Sequence, residues 1–294
     1  MATALKDLTW YGEDVRLGDV DTALARMRDE ASAQAPSMRT SVMTHIAWVP
    51  FGWREPARAA LEGMAELHPS RTILLFPEPH ADDNRIDARA EVERWEVPET
   101  DRGLVTEVVE LTLRGSRAVA PASIVEPLLI SDLPVFLRWR GEPPWGTPEL
   151  EQLVGVTDRL IVDSTEWEGL PGPYRQLAEL FPRTAASDIA WARTSRWRSH
   201  LATLWPGIAD TRSIRVRGTA AQAWLLCGWL RSKLGREIEL EHDPADRLEE
   251  VALDGEQVQL PPGDPPTPSD VLSDELESYS ADPVYEAAVL ATNG

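Results

Sequence analysis

Along the first half of the chain, apolar residues switch between a period close to two and a helical period, and the switches predict the elements. Val20, Leu24 and Met27 recur at helical spacing, with Asp19 or Asp21 able to cap the helix. Residues 39–48 are rich in β-branched and aromatic side chains and predict a strand that Pro50 ends. Helical spacing returns over residues 55–67 through Ala60, Leu61, Met64 and Leu67, and residues 71–77 form the next strand, giving β-α-β order. Two alternating runs, 88–97 and 105–114, flank a Pro-Glu-Thr-Asp-Arg-Gly turn and predict a hairpin added to the sheet. Residues 120–130 predict a buried helix with Pro121 in its first turn and Pro127 limiting it. Strands follow at 132–141 and 158–164, separated by a short helix that Thr147 and Pro148 begin. This alternation predicts an α/β fold, a mostly parallel sheet flanked by helices in the N-terminal half. Ligands of such sheets lie beyond the carboxyl ends of the strands, which places Arg138, Arg140, Asp163 and Ser164 near a ligand or partner surface.

The second half predicts a smaller mixed α+β domain, with boundaries at 1–165 and 166–294. Tyr174, Leu177, Leu180 and Phe181 share a helix. Residues 187–206 then concentrate three tryptophans and three arginines; with Thr194 as N-cap, Trp197, Leu201, Leu204 and Trp205 form one buried stripe, ended by Pro206 and Gly207. Arg193, Arg196 and Arg198 flank that stripe. A strand at 214–217 precedes an apolar helix that starts at Thr219 and closes at Gly235, where a left-handed cap is favoured. A strand at 237–241 and a hairpin around Asp254-Gly255 come next. A proline-rich linker over 261–269 leads to an acidic helical tail broken at Asp282-Pro283.

Composition narrows the function. The chain has 294 residues, 43% of them hydrophobic and 27% charged, as in ordinary globular proteins. It holds no apolar run near the roughly 20 residues of a membrane span. Its N-terminus lacks the apolar core of a signal peptide, and Cys227 is the sole cysteine, so a cytoplasmic location is expected. The net charge of −20 and pI near 4.6 argue against nucleic-acid binding, which needs clustered cations. Residues 189–209 hold no carboxylate, whereas beyond Arg236 only Arg247 stands among many acids. The basic island is either a dock for an acidic partner or an internal counter-charge for the acidic C-terminal part.

Motifs for chemistry are missing. His45, His68, His80, His200 and His242 are scattered without ligand spacing, so no metal site is predicted. Cys227, on an apolar helix, reads as an inert buried thiol. Neither a phosphate-cradling glycine loop nor a nucleophile elbow occurs, and no cofactor is expected. Asp163 and Glu166 could support acid and base work, but solvated charge is the simpler reading, and no catalytic residue is assigned. Ser70 and Arg71, at a helix-to-strand junction after His68-Pro69, could hold an anion, the alternative being a tight turn. Trp139, Trp191, Trp197, Trp224 and Trp229 lie in apolar patterns and are expected in core or interface rather than in sugar stacking.

Several long motifs occur in order: His-Pro-Ser-Arg-Thr at 68–72, Pro-Leu-Leu-Ile-Ser-Asp-Leu-Pro-Val-Phe-Leu-Arg-Trp-Arg-Gly at 127–141, Asp-Arg-Leu-Ile-Val-Asp-Ser at 158–164, Ser-Asp-Ile-Ala-Trp-Ala-Arg at 187–193, Trp-Arg-Ser-His-Leu-Ala at 197–202 and Leu-Leu-Cys-Gly-Trp-Leu-Arg-Ser-Lys-Leu-Gly at 225–235. In these the chain resembles the OpcA family of bacterial glucose-6-phosphate dehydrogenase assembly proteins. The resemblance implies a non-catalytic protein that binds glucose-6-phosphate dehydrogenase and promotes its assembly or activates it, with NADP belonging to the partner. Family members commonly read Leu-Asn where this chain has Ile189-Ala190. In photosynthetic relatives cysteines serve thioredoxin control, and lone Cys227 cannot form an intramolecular disulfide for it. Expected partner contacts are Arg138, Arg140, Arg193, Arg196, Trp197 and Arg198; homo-oligomerisation is not legible. The rival reading is a phosphosugar-binding enzyme or sensor using Ser70, Arg71, Arg138 and Arg140.

Overall fold

The computed structural model describes residues 8–34, 37–39, 41–60, 69–96, 103–260 and 267–293. The second half of the expected 55–67 helix, His68, the hairpin turn and most of the proline-rich linker lie outside these residues. The chain divides into two compact units, residues 1–160 and 161–294.

The first unit opens with β1 (Leu8–Gly12) and α1 (Leu17–Gln34). Asp19 does not cap α1 from in front. It lies in the first turn, and its carboxylate reaches back to accept from the Arg16 N–H at 2.9 Å. Val20, Leu24 and Met27 are buried along one side, as their spacing predicted. The predicted 39–48 strand is two strands, β2 (Ser37–Arg39) and β3 (Met43–Trp48), with different neighbours. After Pro50 a 3-10 turn leads into α2 (Arg54–Ala59). Then come β4 (Ser70–Glu78), β5 (Ile86–Glu96) and β6 (Gly103–Arg114), the last two pairing antiparallel as the alternation predicted. Helix α3 (Pro121–Val125) has Pro121 at its start and passes into a 3-10 turn at Glu126–Leu128, where Pro127 ends regular α geometry. β7 (Val135–Trp139), α4 (Pro148–Gly155), entered from Thr147, and β8 (Arg159–Val162) complete the series.

Strand order in this unit is β1-β5-β6-β4-β3-β7-β8, with β2 also beside β6. Pairs β2·β6, β4·β6, β3·β4 and β3·β7 are parallel, so the sheet is mostly parallel with an antiparallel edge. β3 is buried along its whole length because it lies between two parallel neighbours.

The second unit contains the short strand β9 (Ala185–Asp188). Helices α5 (Pro173–Ala178), α6 (Ile189–Arg193) and α7 (Ser195–Thr203) precede a separate mixed four-stranded sheet. Its strands are β10 (Ser213–Gly218), β11 (Glu239–Pro244), β12 (Glu250–Leu253) and β13 (Glu256–Gln257), in the order β11-β10-β12-β13. Asp254 (φ 49) and Gly255 (φ 85) make the predicted turn between β12 and β13. The apolar helix α8 (Ala220–Leu234) starts in a capping box of Thr219 and Gln222 and closes on left-handed Gly235. Helices α9 (Pro268–Glu277) and α10 (Pro283–Ala291) form the tail, with Asp282 capping α10 at the predicted break.

Candidate functional site

The arginine-rich segment forms two short helices joined at Thr194. Thr194 caps nothing with its side chain. Its backbone is helical, and its hydroxyl donates to the Trp191 carbonyl at 2.7 Å. Asp188 is the effective cap, accepting from the Ala190 N–H at 2.8 Å at the start of α6. Trp197 and Leu201 are buried, as their spacing predicted, whereas Leu204 and Trp205 are 37% and 62% exposed. The predicted stripe therefore stops short. Helix α7 ends at Thr203, so positions 204 and 205 leave the helical period that would have aligned them with Trp197.

The three arginines differ in what they touch. Arg193 pairs with buried Asp163 at 3.3 Å. Arg196 is half-buried on α7. Arg198 lies over the Trp191 ring, 3.4 Å from its centroid, and donates from Nε to the Thr194 hydroxyl at 3.0 Å. Burial lowers its pKa to about 10 against the opposing pull of Asp282 and Glu275. Trp191 in turn donates from its indole to Asp282 at 3.0 Å and packs against Tyr285, with ring centroids 5.6 Å apart. Arg198 thus stands within the field of the acidic tail, and the tail is anchored on the same tryptophan.

Behind α6 lies a buried polar node. The Ser164 hydroxyl donates to Asp188 Oδ2 at 2.5 Å and lies 2.9 Å from the Tyr174 hydroxyl, while the Ser164 N–H donates to Asp188 Oδ1 at 3.0 Å. Burial, and then the charge of Asp163, raise the Asp188 pKa to about 7. A serine on a carboxylate looks like a nucleophile and its base, but Ser164, Tyr174 and Asp188 are all fully buried. The node fixes where β8 and β9 end. Asp163, which the sequence paired with Glu166, accepts instead from the Thr165 hydroxyl at 2.6 Å and from Arg193.

In the first unit Arg138 lies half-buried in β7, and its charge, after burial, helps lower the pKa of fully buried His45 to about 3. Arg140 follows β7 with its guanidinium 5.0 Å from the Trp53 ring centroid. Ser70 begins β4, its hydroxyl 3.4 Å from that of Thr72. Arg71 is only 4% exposed and is engaged internally, donating to Glu107 at 2.6 Å and to the Leu128 carbonyl at 2.7 Å. Arg28 reaches the same Glu107 at 2.8 Å. Burial would raise the Glu107 carboxyl, but Arg71 and Arg28 prevail and hold it low.

Sequence reasoning missed a second ionic cluster, on the opposite face of β6. Glu110, 3% exposed, accepts from Arg58 at 2.6 Å and from Arg89 at 2.8 Å, with Arg54 at 3.9 Å. Arg89 also donates to the Tyr11 hydroxyl at 3.2 Å and pairs with Glu91 at 2.7 Å. Residues Tyr11, Arg89 and Glu110 are direct cross-strand neighbours on β1, β5 and β6. Beside them is a cavity of about 290 Å³ lined also by Arg54, Asp87 and Thr112. The signal was present in β5, where Asp87, Arg89, Glu91 and Glu93 alternate with Ala88, Ala90 and Val92. Among the described residues no group of three or more His, Cys, Asp or Glu is placed to hold a metal ion, and no helix is long and apolar enough to cross a membrane.

Comparison with known proteins bears on the whole chain. Residues 61–180 match a family described as the glucose-6-phosphate dehydrogenase subunit N-terminal domain, and residues 184–289 match the corresponding C-terminal domain. Three cyanobacterial proteins named OxPP cycle protein OpcA are similar. The Synechococcus elongatus protein is 26% identical over 53% of this chain and 40% of its own length. The Nostoc punctiforme protein is 24% identical over 65% of this chain and 44% of its own. The Synechocystis protein is 26% identical over 58% of this chain and 38% of its own. The matched part thus spans less than half the length of these relatives. No solved structure matches the chain.

Proposed function

Because the chain belongs to the OpcA family, we propose that it is a regulatory protein that binds glucose-6-phosphate dehydrogenase and promotes its assembly or raises its activity. The observation that carries this reading is the succession of two glucose-6-phosphate dehydrogenase subunit domains across residues 61–289. On it rests a role linked to that enzyme in the pentose phosphate pathway. The chemistry and the NADP belong to the partner. Activation follows if the protein binds one conformational or oligomeric state of the enzyme more tightly and shifts the population toward it.

For the contact we propose the end of α7, where exposed Leu204 and Trp205 stand beside a stretch free of carboxylates. Exposed tryptophans and arginines are the side chains that most often dominate binding energy. Arg193 and Arg196 belong to this surface, whereas Trp197 and Arg198 act by packing it from behind. Arg138 and Arg140 remain candidates for a separate contact made by the first unit.

The test mixes the purified protein with its cognate dehydrogenase at micromolar concentrations, following mass in solution and the enzyme's kinetics. A complex, or altered substrate affinity or turnover, is expected. Unchanged mass together with unchanged kinetics would sink the reading. Within the complex, Trp205→Ala is expected to weaken binding about tenfold or more. Wild-type affinity in a Trp205→Ala, Arg196→Glu double variant would move the contact elsewhere.

A further inference from the structure

The cavity beside Glu110 lies where ligands of parallel sheets collect. β1, β6 and β3 run in one direction, and its lining comes from the carboxyl-terminal parts of β1 and β6 and from Arg54, which follows the end of β3. Three guanidinium groups converge on the single buried carboxylate of Glu110. Arg54 is the least neutralised of them. It donates to the Thr112 hydroxyl at 2.7 Å, its nearest carboxylate oxygen is 3.9 Å away, and its Nε is buried without a partner. Its flat face is held over the Phe76 ring at 4.3 Å and near the Phe51 ring at 5.1 Å. The hydrogen-bonding edge of a stacked guanidinium is pre-oriented, so little entropy is lost when it takes an anion.

Tyr11 adds directionality. Its hydroxyl oxygen already accepts from Arg89 Nε, which leaves the O–H free to donate. Glu13 and Asp87 also line the cavity and supply acceptors. A volume of about 290 Å³ is at the small end for ligand pockets.

We propose that this cavity binds a small hydroxylated anion, with its carboxylate or phosphate on Arg54 and the Tyr11 hydroxyl and its hydroxyl groups turned toward Glu13 and Asp87. Mixed charge in the lining sets the selectivity: a bare anion meets the acids with nothing to donate, and a neutral polyol gains nothing from the charge of Arg54. This inference is independent of partner binding.

The experiment measures thermal stabilisation and calorimetric binding of the full chain with glycerol 3-phosphate and with glycerate. Glycerol, and sodium chloride at matched ionic strength, serve as controls. Saturable binding of at least one of the two anions is expected, and which one binds separates phosphate from carboxylate as the recognised group. Arg54→Gln is expected to weaken binding at least tenfold. Tyr11→Phe, at a 69% exposed position where the fold has little at stake, should weaken it several-fold, and Arg117→Gln, at an exposed position outside the cavity lining, should leave it unchanged. The proposal is overturned if neither anion binds saturably, if sodium chloride reproduces the effect, or if binding survives both Arg54→Gln and Tyr11→Phe.

Discussion

Asp188 is a buried carboxylate whose pKa is raised to about 7 by burial and by Asp163, and that shift has a sign in stability. Between about pH 4 and pH 7 the unfolded chain has released a proton that the folded chain keeps, so this group lowers stability as pH rises through that window. His45 works the other way. Its pKa, lowered to about 3 by burial and by Arg138, means the unfolded chain takes up a proton below about pH 6.5 that the folded chain refuses, so stability falls as pH falls. The two oppose each other near pH 5, and only a difference measurement isolates either. Asp188→Asn keeps an acceptor for the Ser164 and Ala190 N–H groups and removes the titration. Relative to wild type, the variant should gain urea resistance between pH 5 and pH 7.5; parallel profiles over that range would refute the assignment. None of this was legible in the sequence, because burial of Asp188 depends on Ser164 and Tyr174 arriving from other elements. The exposure of Leu204 and Trp205 was also illegible. Helical periodicity extends them along the face of Trp197, but the helix ends at Thr203, before either is reached.

At the scale of elements, local signals were read well wherever local chemistry decides. Thr219, Gly235, Asp254-Gly255 and Asp282-Pro283 all act where the sequence placed them, since caps and turns need only a few neighbouring residues. The strand read at 39–48 failed for the opposite reason. β2 pairs with β6 while β3 sits between β4 and β7, and a partner strand is not written in the strand itself. Helix α8 illustrates a requirement that composition hides. A Cβ built on Gly228 would collide with the Ala288 backbone carbonyl of α10 and meet the Thr292 methyl at 3.0 Å. The absence of a side chain is what lets α8 and α10 approach. Gly228→Ala is therefore expected to lose about 1–3 kcal/mol through overpacking, despite a gain of about 1 kcal/mol in helix propensity. A variant as stable as wild type in denaturant titration would show that α10 can shift without cost.

For the molecule as a whole, the net charge of −20 sets a background of self-repulsion that exposed charges feel most. Its innermost ion pairs, those of Glu107 and Glu110, are shielded from solvent and respond little to added salt. Raising sodium chloride from about 10 mM to about 200 mM, which shortens the Debye length from roughly 30 Å to below 10 Å, should raise the melting temperature. A fall over the same range would mean that exposed ion pairs outweigh the repulsion. The α/β class, the β-α-β order and the alternation of strands and helices in the C-terminal part were legible because apolar periodicity reports them. The cavity by Glu110 was not, since its arginines come from α2 and β5 and meet only once the sheet is assembled.

The two carboxylates of β6 also solve a problem of strand alignment. Apolar alternation repeats every two residues, so sliding β6 by two positions against its neighbours would leave every face correct and the pattern satisfied. Charge does not repeat that way. Arg71 stands directly opposite Glu107 on one side, and Arg89 directly opposite Glu110 on the other. A slide by two would leave both acids buried without their guanidinium partners, at a cost of roughly 3–5 kcal/mol each. The ionic pairs thus act as a vernier on an otherwise ambiguous ruler, selecting one alignment among several that hydrophobicity alone would accept.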